Sequence, residues 1–272
     1  MKNVALRAAS GAIYVAVIVA AILCGQPAFL CLCLLLGVLA MLEFNKMCQT
    51  SDDSAMRWWV LGVDVVAVLA IIWWFAIAMY LYLPVRLAMA VFDKRSEALR
   101  SAAFSMLGVI YIGMGLGALE VLYTNDMLIG AGKYPVLMFF IMIWLNDTGA
   151  FCVGSQIGRR RLCERLSPKK SWEGFWGGMA FCALFGIAAY YLVPGNNLSL
   201  WGWIAIGVAV SALSTVGDLF ESLIKRTVGV KDSGNLIPGH GGILDRIDSL
   251  LFVAPGLAAI FFACLYCMIL LT

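Results

Sequence analysis

The sequence predicts an all-α polytopic membrane protein of about nine transmembrane helices, with its N-terminus cytoplasmic and its C-terminus outside. Three observations carry this prediction. The 272-residue chain is 63% hydrophobic and 13% charged, whereas a soluble domain is about half apolar and about a quarter charged. Apolar runs near residues 8–24, 28–44, 58–74, 75–92, 102–122, 134–153, 173–193, 199–220 and 249–271 approach the length needed to cross a hydrocarbon core of about 30 Å. That layout also puts 18 of the 19 Lys and Arg residues on one side, Arg86 included and Lys133 alone excluded. Basic residues concentrate on the cytoplasmic side of membrane proteins, which sets the orientation.

The spans can be justified in order. Lys2 and Arg7 precede the first, and Cys24 follows it. Leu23 is not the small residue a signal-peptide cleavage site requires, so this run reads as an uncleaved span. Glu43 closes the second span and Glu120 the fifth, positions that suggest an interfacial location. As one helix, Trp58–Phe92 would be about 50 Å long, so it divides into two spans. Asp64 lies deeper and requires a partner. Gly113, Gly115 and Gly117 lie within the fifth span and follow no strand. They indicate close helix packing rather than a nucleotide-binding fingerprint.

Residues 1–132 thus form an N-terminal region of about five spans. Residues 133–272 form a C-terminal region of about four spans with two long cytoplasmic loops, and it is there that catalysis is expected. The nine cysteines are odd in number and mostly lie in spans, which suits free thiols packing as small hydrophobes. Cys264 and Cys267 have C-x-x-C spacing, but one histidine and membrane-buried cysteines do not make a zinc site. The net charge of +3 is small, and no nucleic-acid partner is expected.

Polar chemistry concentrates in three pieces of the C-terminal region. In the first, Asn146–Gly174, Asp147 lies about 9 Å inside the sixth span, where an ionisable group faces a cavity or partner. Six basic residues follow against one acid, Glu164. Arg159, Arg160 and Arg161 serve equally well as orientation signals or ligand groups. Ser167, Pro168, Lys169 and Lys170 are expected to form a proline-fixed turn ahead of a helix, offering hydroxyl, amide and ammonium donors to phosphate. In the second piece, Ser214–Arg226, helical spacing puts Asp218, Glu221, Ser222 and Lys225 near one face, with Arg226 beside them. An amphipathic helix end in solvent would show the same spacing.

The third piece runs from Val230 to Ser249 and holds Lys231, the lone His240, Gly241, Gly242 and Arg246. Asp245 and Asp248 are three residues apart at the start of the last span, so both project to one side. Each alone is explained by the preference for acids in a first helical turn. His240 suits either a ligand contact or a loop-packing role. Asp218, Asp245 and Asp248 with nearby basic groups suit a hard cation and phosphates, because Mg²⁺ is held by one or two carboxylates plus phosphate oxygens and water. Such a set at a cytosol-facing rim predicts phosphoryl or nucleotidyl transfer. No Ser–His–acid or Cys–His set supports covalent acyl chemistry.

The stretch SLIKRTVGVKDSGNLIPGHGGILDRID, Ser222 to Asp248, resembles the signature of the phosphatidate cytidylyltransferase (CDP-diacylglycerol synthase) family. DTGAF and SPKKSWEG upstream resemble the same family, so the likeness is strong from Asp147 to Asp248. Ser171 stands where relatives commonly carry threonine, and Phe151 where they commonly carry tyrosine, so a hydroxyl is missing at the latter. The resemblance implies that CTP and phosphatidic acid are converted to CDP-diacylglycerol and pyrophosphate in a bacterial cytoplasmic membrane, with the site facing the cytoplasm. It further implies Mg²⁺ on Asp218, Asp245 and Asp248, room for K⁺ nearby, and a homodimer. Under this reading, Lys169, Lys170, Lys225, Arg226 and Lys231 bind phosphates. His240 and the Gly241 and Gly242 amides meet the pyrophosphate. Asp147 lines the cavity, while Ser167, Ser222 and Arg246 complete the substrate site.

Other readings are a cytidylyltransferase for another lipid phosphate and a cation-coupled transporter. A transporter would show broken spans in corresponding places of two halves, whereas the polar content here is confined to one half. A CDP-alcohol phosphotransferase would carry a D-G-x-x-A-R run, which this chain lacks.

Overall fold

The computed structural model describes residues 2–48, 54–73, 75–94, 96–125, 133–195, 197–236 and 241–271. Among the described residues the elements are α1 (Lys2–Cys24), α2 (Gln26–Cys48), α3 (Ser54–Trp73), α4 (Phe75–Phe92), α5 (Ala98–Thr124), α6 (Lys133–Ile157), β1 (Arg161–Cys163), β2 (Ser167–Ser171), α7 (Trp172–Leu192), α8 (Leu200–Thr227) and α9 (Leu244–Leu271). The run Trp58–Phe92 is divided between α3 and α4, as its length demands. Six helices, α2 and α5 to α9, are long and apolar enough to cross a membrane, so the chain is a helical multi-pass membrane protein. The apolar parts of α1, α3 and α4 are shorter: Ser10–Cys24, Trp58–Trp73 and Ile77–Phe92.

The stretch expected as a proline-fixed turn is instead a strand. Strands β1 and β2 form an antiparallel hairpin pairing Arg161 with Ser171 and Cys163 with Ser167, with an irregular register between. Both strands of a two-stranded ribbon are edges, so Pro168 is tolerated. Ser171 caps α7 by accepting the Gly174 amide at 3.1 Å. Glu173 accepts the Arg159 amide at 3.1 Å and the Arg160 amide at 3.2 Å, and the Trp172 amide donates to the Arg160 carbonyl at 2.9 Å. Both ends of the hairpin are therefore fastened to the start of α7.

The chain forms two compact units, Met1–Glu120 with Val228–Ile247 and Val121–Thr227 with Asp248–Thr272. The segment Val228–Ile247, which the sequence division at residue 132 groups with the C-terminal region, clusters with the N-terminal helices. In this first unit, glycines admit close helix contact. A Cβ at Gly113 would lie 3.1 Å from the Ile71 side chain, and one at Gly108 would lie 2.6 Å from the Phe44 ring.

The partner that Asp64 requires is Arg86. Asp64 is fully buried and accepts hydrogen bonds from Tyr82 Oη at 2.8 Å and Asn45 Nδ2 at 3.3 Å. Arg86 Nε lies 3.8 Å from Asp64 Oδ1, and its Nη2 donates to Ser105 Oγ at 3.2 Å. Arg86 therefore does not belong among the cytoplasmic loop charges: it is 2% exposed inside α4, where a charge persists only when paired. Glu43 and Glu120, expected at the interface, are also buried. Glu120 accepts from Gln26 Nε2 at 2.8 Å.

In the second unit, Asn146 of α6 ties helices together. Its Oδ1 accepts from Ser211 Oγ at 2.6 Å, and its Nδ2 donates to Ser214 Oγ at 3.4 Å. Ser249 of α9 donates to the Ser214 carbonyl at 3.2 Å. Buried Trp203 packs 6.5 Å from the Phe139 ring, which lies equally far from Phe261.

Candidate active site

In the second unit, the polar ties of Asn146 and Ser249 place three acid-bearing positions around one region. Asp147 follows Asn146 on α6. Asp218 lies 18 residues beyond Leu200 on α8, about 27 Å along the helix. Asp248 precedes Ser249 on α9, and its Oδ1 accepts the Ser249 amide at 2.6 Å. Gly217 lets α8 and α9 approach here, because a Cβ at this position would lie 2.9 Å from the Asp248 carbonyl oxygen. Asp248 lies within electrostatic reach of Asp218, Asp147 and Lys170.

Lys170 completes the group, forming an ion pair with Asp218 Oδ2 from strand β2. Both side chains remain about a third exposed, at 29% and 33%, so the pair is open to an incoming ligand. The hairpin fastening explains why a lysine 48 residues away in sequence meets this helix end.

The remaining expected residues are distributed as follows. Lys225 pairs with the buried Glu221 one helical turn before it, so its ammonium is already met by a carboxylate. Ser222 is buried rather than open to a substrate. Lys169 and Arg226 are exposed in the second unit, where Ser167 is partly exposed at the hairpin edge. Lys231, Gly241, Gly242, Asp245 and Arg246 belong to the first unit. Lys231 and Arg246 are exposed, and the Arg246 carbonyl accepts from Tyr14 Oη at 3.0 Å. His240 lies outside the described residues.

Asp245 holds the loop before it. Its carboxylate accepts the Ser233 amide at 3.1 Å and the Gly242 amide at 2.9 Å. Gly241 turns the chain with φ +83°, where a Cβ would also lie 2.7 Å from Asp245 Oδ2, so both backbone and space favour glycine. The Gly242 amide, expected to face a pyrophosphate, is thus committed to Asp245. From the opposite side, Glu43 of α2 accepts the Ile243 and Leu244 amides, each at 3.0 Å.

The donors of the second unit fit a hard divalent cation. Asp218 and Asp248 present carboxylate oxygens whose like charges oppose each other, with one ammonium beside them. Among the described residues no three His, Cys, Asp or Glu side chains gather into a metal-holding group. Mg²⁺ does not need such a cage, because it commonly takes one or two carboxylates and completes its shell with phosphate and water oxygens.

Sequence reading did not single out Asn146, Ser211, Ser214, Ser249 and Gly217 as organisers of the site. Their signal is the recurrence of small and polar residues inside apolar helices, which marks helix contacts in membranes. Glu43 carried no local signal, because its partners lie about two hundred residues away.

Comparison with known proteins gives a consistent picture. The family model described as "Cytidylyltransferase family" matches residues 5–265. A phosphatidate cytidylyltransferase of Staphylococcus aureus is 38% identical over 169 residues, covering 62% of each chain. Phosphatidate cytidylyltransferases of Staphylococcus saprophyticus and Staphylococcus haemolyticus are 38% and 37% identical over the same length. The chain thus spans 62% of the length of these relatives.

Proposed function

The chain belongs to the cytidylyltransferase family, and from that premise we propose that it transfers the cytidylyl group of CTP to phosphatidic acid, giving CDP-diacylglycerol and pyrophosphate. The name shared by its relatives supports phosphatidic acid as the acceptor. The observation that carries the reading is the Lys170–Asp218 pair beside Asp248 and Asp147 in a multi-pass membrane protein. A membrane enzyme joining an anionic lipid to an anionic nucleotide has to manage negative charge more than it has to supply a nucleophile.

An anionic oxygen of the lipid phosphate attacks the α-phosphorus of CTP. A new P–O bond forms, and the bond to the β-phosphate breaks with its electron pair leaving on pyrophosphate. The attacking group carries its own electrons, so the protein's task is positioning and charge stabilisation. Asp218 and Asp248 are the candidate holders of Mg²⁺, with Asp245 assigned by the motif likeness. Bound there, the cation would neutralise phosphate charge and polarise a phosphoryl oxygen. A K⁺ ion nearby rests on the same likeness.

Lys170 binds a phosphate by exchanging its pairing with Asp218 for pairing with substrate. By the motif likeness, Lys169, Arg226, Lys231 and Arg246, each of them exposed, are candidates to meet the triphosphate or the lipid headgroup. The basic loops support a cytoplasmic active site with the N-terminus inside and the C-terminus outside. The bacterial relatives support the cytoplasmic membrane as the location, and a homodimer is part of the family reading.

The deciding experiment incubates purified protein in detergent with cytidine-labelled CTP and phosphatidic acid. Label should move into a lipid-soluble product, with pyrophosphate released in equal amount. Label that remains water-soluble would overturn the proposal. Transfer to a different lipid phosphate, with phosphatidic acid left untouched, would replace the acceptor.

A further inference from the structure

We propose that Glu43 is a positioning residue that fixes the Asp245-bearing loop for catalysis. Its effect on activity rests on the cytidylyl transfer proposed above, whereas the clamp itself does not. Glu43 lies on α2, far in sequence from the motif, and is 7% exposed. Its Oε1 accepts the Ile243 amide at 3.0 Å, and its Oε2 accepts the Leu244 amide at 3.0 Å and Ser233 Oγ at 3.3 Å. One carboxylate therefore joins the strands of chain on both sides of residues 237–240.

The surroundings are shaped to this carboxylate. A Cβ at Gly234 would lie 2.7 Å from Glu43 Oε1. Gly242 is likewise pressed against Glu43 and Ser233. Asp245 accepts the Ser233 and Gly242 amides, so two acids divide the donors of one loop between them. Hydrogen bonds to a carboxylate are stronger than neutral ones, and the start of a helix favours negative charge. Among the described residues no Lys or Arg forms an ion pair with Glu43, so amides and a hydroxyl meet its charge.

Two consequences follow for the reaction. The amides at the start of α9, where a phosphate would ordinarily bind, already hold a protein carboxylate. Substrate phosphates must therefore be met by other groups, and the role of this helix start is to set the direction of Asp245. Asn45, two residues along α2, is tied to the buried Asp64 of α3. The clamp thus stands on a helix that is itself pinned within the first unit.

The test compares full-length Glu43→Gln, Glu43→Asp and Ser233→Ala proteins in detergent, using amide hydrogen exchange and steady-state kinetics. Glu43→Gln should speed exchange at residues 243 and 244 about tenfold or more, with α8 unchanged, because charge-assisted bonds are lost. Its kcat per folded molecule should fall about tenfold or more, the KM for CTP should change less, and Glu43→Asp should recover part of both losses. Unchanged exchange at residues 243 and 244 overturns the clamp, and faster exchange with unchanged kcat overturns the positioning role. Ser233→Ala, which removes only a hydroxyl donor, decides by the same two readings if Glu43→Gln does not insert. A wild-type protein without cytidylyl transfer would overturn the proposed function, while the exchange reading would still decide the clamp.

Discussion

Lys170 and Asp218 meet as an ion pair although one stands on a hairpin strand and the other near the end of a 28-residue helix. A partly exposed pair of this kind adds little to stability. Under the proposed function, its use is to hold an ammonium where a phosphate would arrive. Lys170→Met should leave thermal stability within about 1 kcal/mol. It should lower kcat/KM for CTP by about 100-fold, the scale expected for losing one charge-stabilising donor. Kinetics beside a melting curve on the same preparation check both halves, and near-normal kcat/KM would remove Lys170 from the site.

The carboxylates should behave differently from the lysine. Asp218→Asn, Asp248→Asn and Asp245→Ala should each insert normally and lose CTP-dependent conversion of phosphatidic acid. Chelation of Mg²⁺ should stop the wild-type reaction, and added Mg²⁺ should restore it. Turnover that persists in chelator, or in Asp245→Ala, would dismiss the metal assignment.

Gly217 offers a purely steric test. A methyl group there would meet the Asp248 carbonyl oxygen and the Phe252 Cβ, both at 2.9 Å. Relieving that overlap spreads α8 from α9 at a cost of about 1–3 kcal/mol. Gly217→Ala should lower the melting temperature and reduce activity more than its stability loss accounts for. A variant as active as wild type would show that the α8–α9 spacing is not critical.

The buried pair in the first unit calls for a double-mutant cycle. Arg86→Leu alone leaves Asp64 buried without its counter-charge and should cost about 3–5 kcal/mol. Asp64→Leu with Arg86→Leu together should cost less than either alone. Melting in detergent measures all four corners, and additive losses would refute the pairing as an energetic unit.

Asn146→Ala removes both an acceptor for Ser211 and a donor to Ser214. Interhelical bonds of this kind are worth about 0.6–2 kcal/mol each in membranes. Asn146→Ala should therefore lower stability by about 1–3 kcal/mol, read from the melting midpoint. Because it also loosens α6 next to Asp147, activity should fall further than Ser211→Ala alone achieves.

Much of this architecture was legible in the residues. Apolar run lengths marked the helices, including the division of Trp58–Phe92, because membrane thickness acts on local sequence. The requirement of Asp64 for a partner was legible too, since a lone charge in apolar helices is costly. The burial of Arg86 is not visible in the sequence, because a basic residue near a helix end looks the same whether it points to water or back to Asp64. Ser167–Ser171 read as a turn because Pro and Ser signal turns locally, whereas the strand is imposed by pairing with Arg161–Cys163. Glu43 was read as interfacial because its amide partners come from the other end of the chain.

Under the proposed function, the two fastenings of the basic hairpin, at Ser171 and Glu173, have a consequence for the entropy of ligand capture. A loose lysine loop would have to be frozen at each encounter, at about 0.5–1.5 kcal/mol for every immobilised side chain plus its backbone. Here most of the backbone ordering is completed during folding, so an arriving anion restrains little more than the lysine side chains. The hairpin is in this sense a preset gauge for the lysines that it carries.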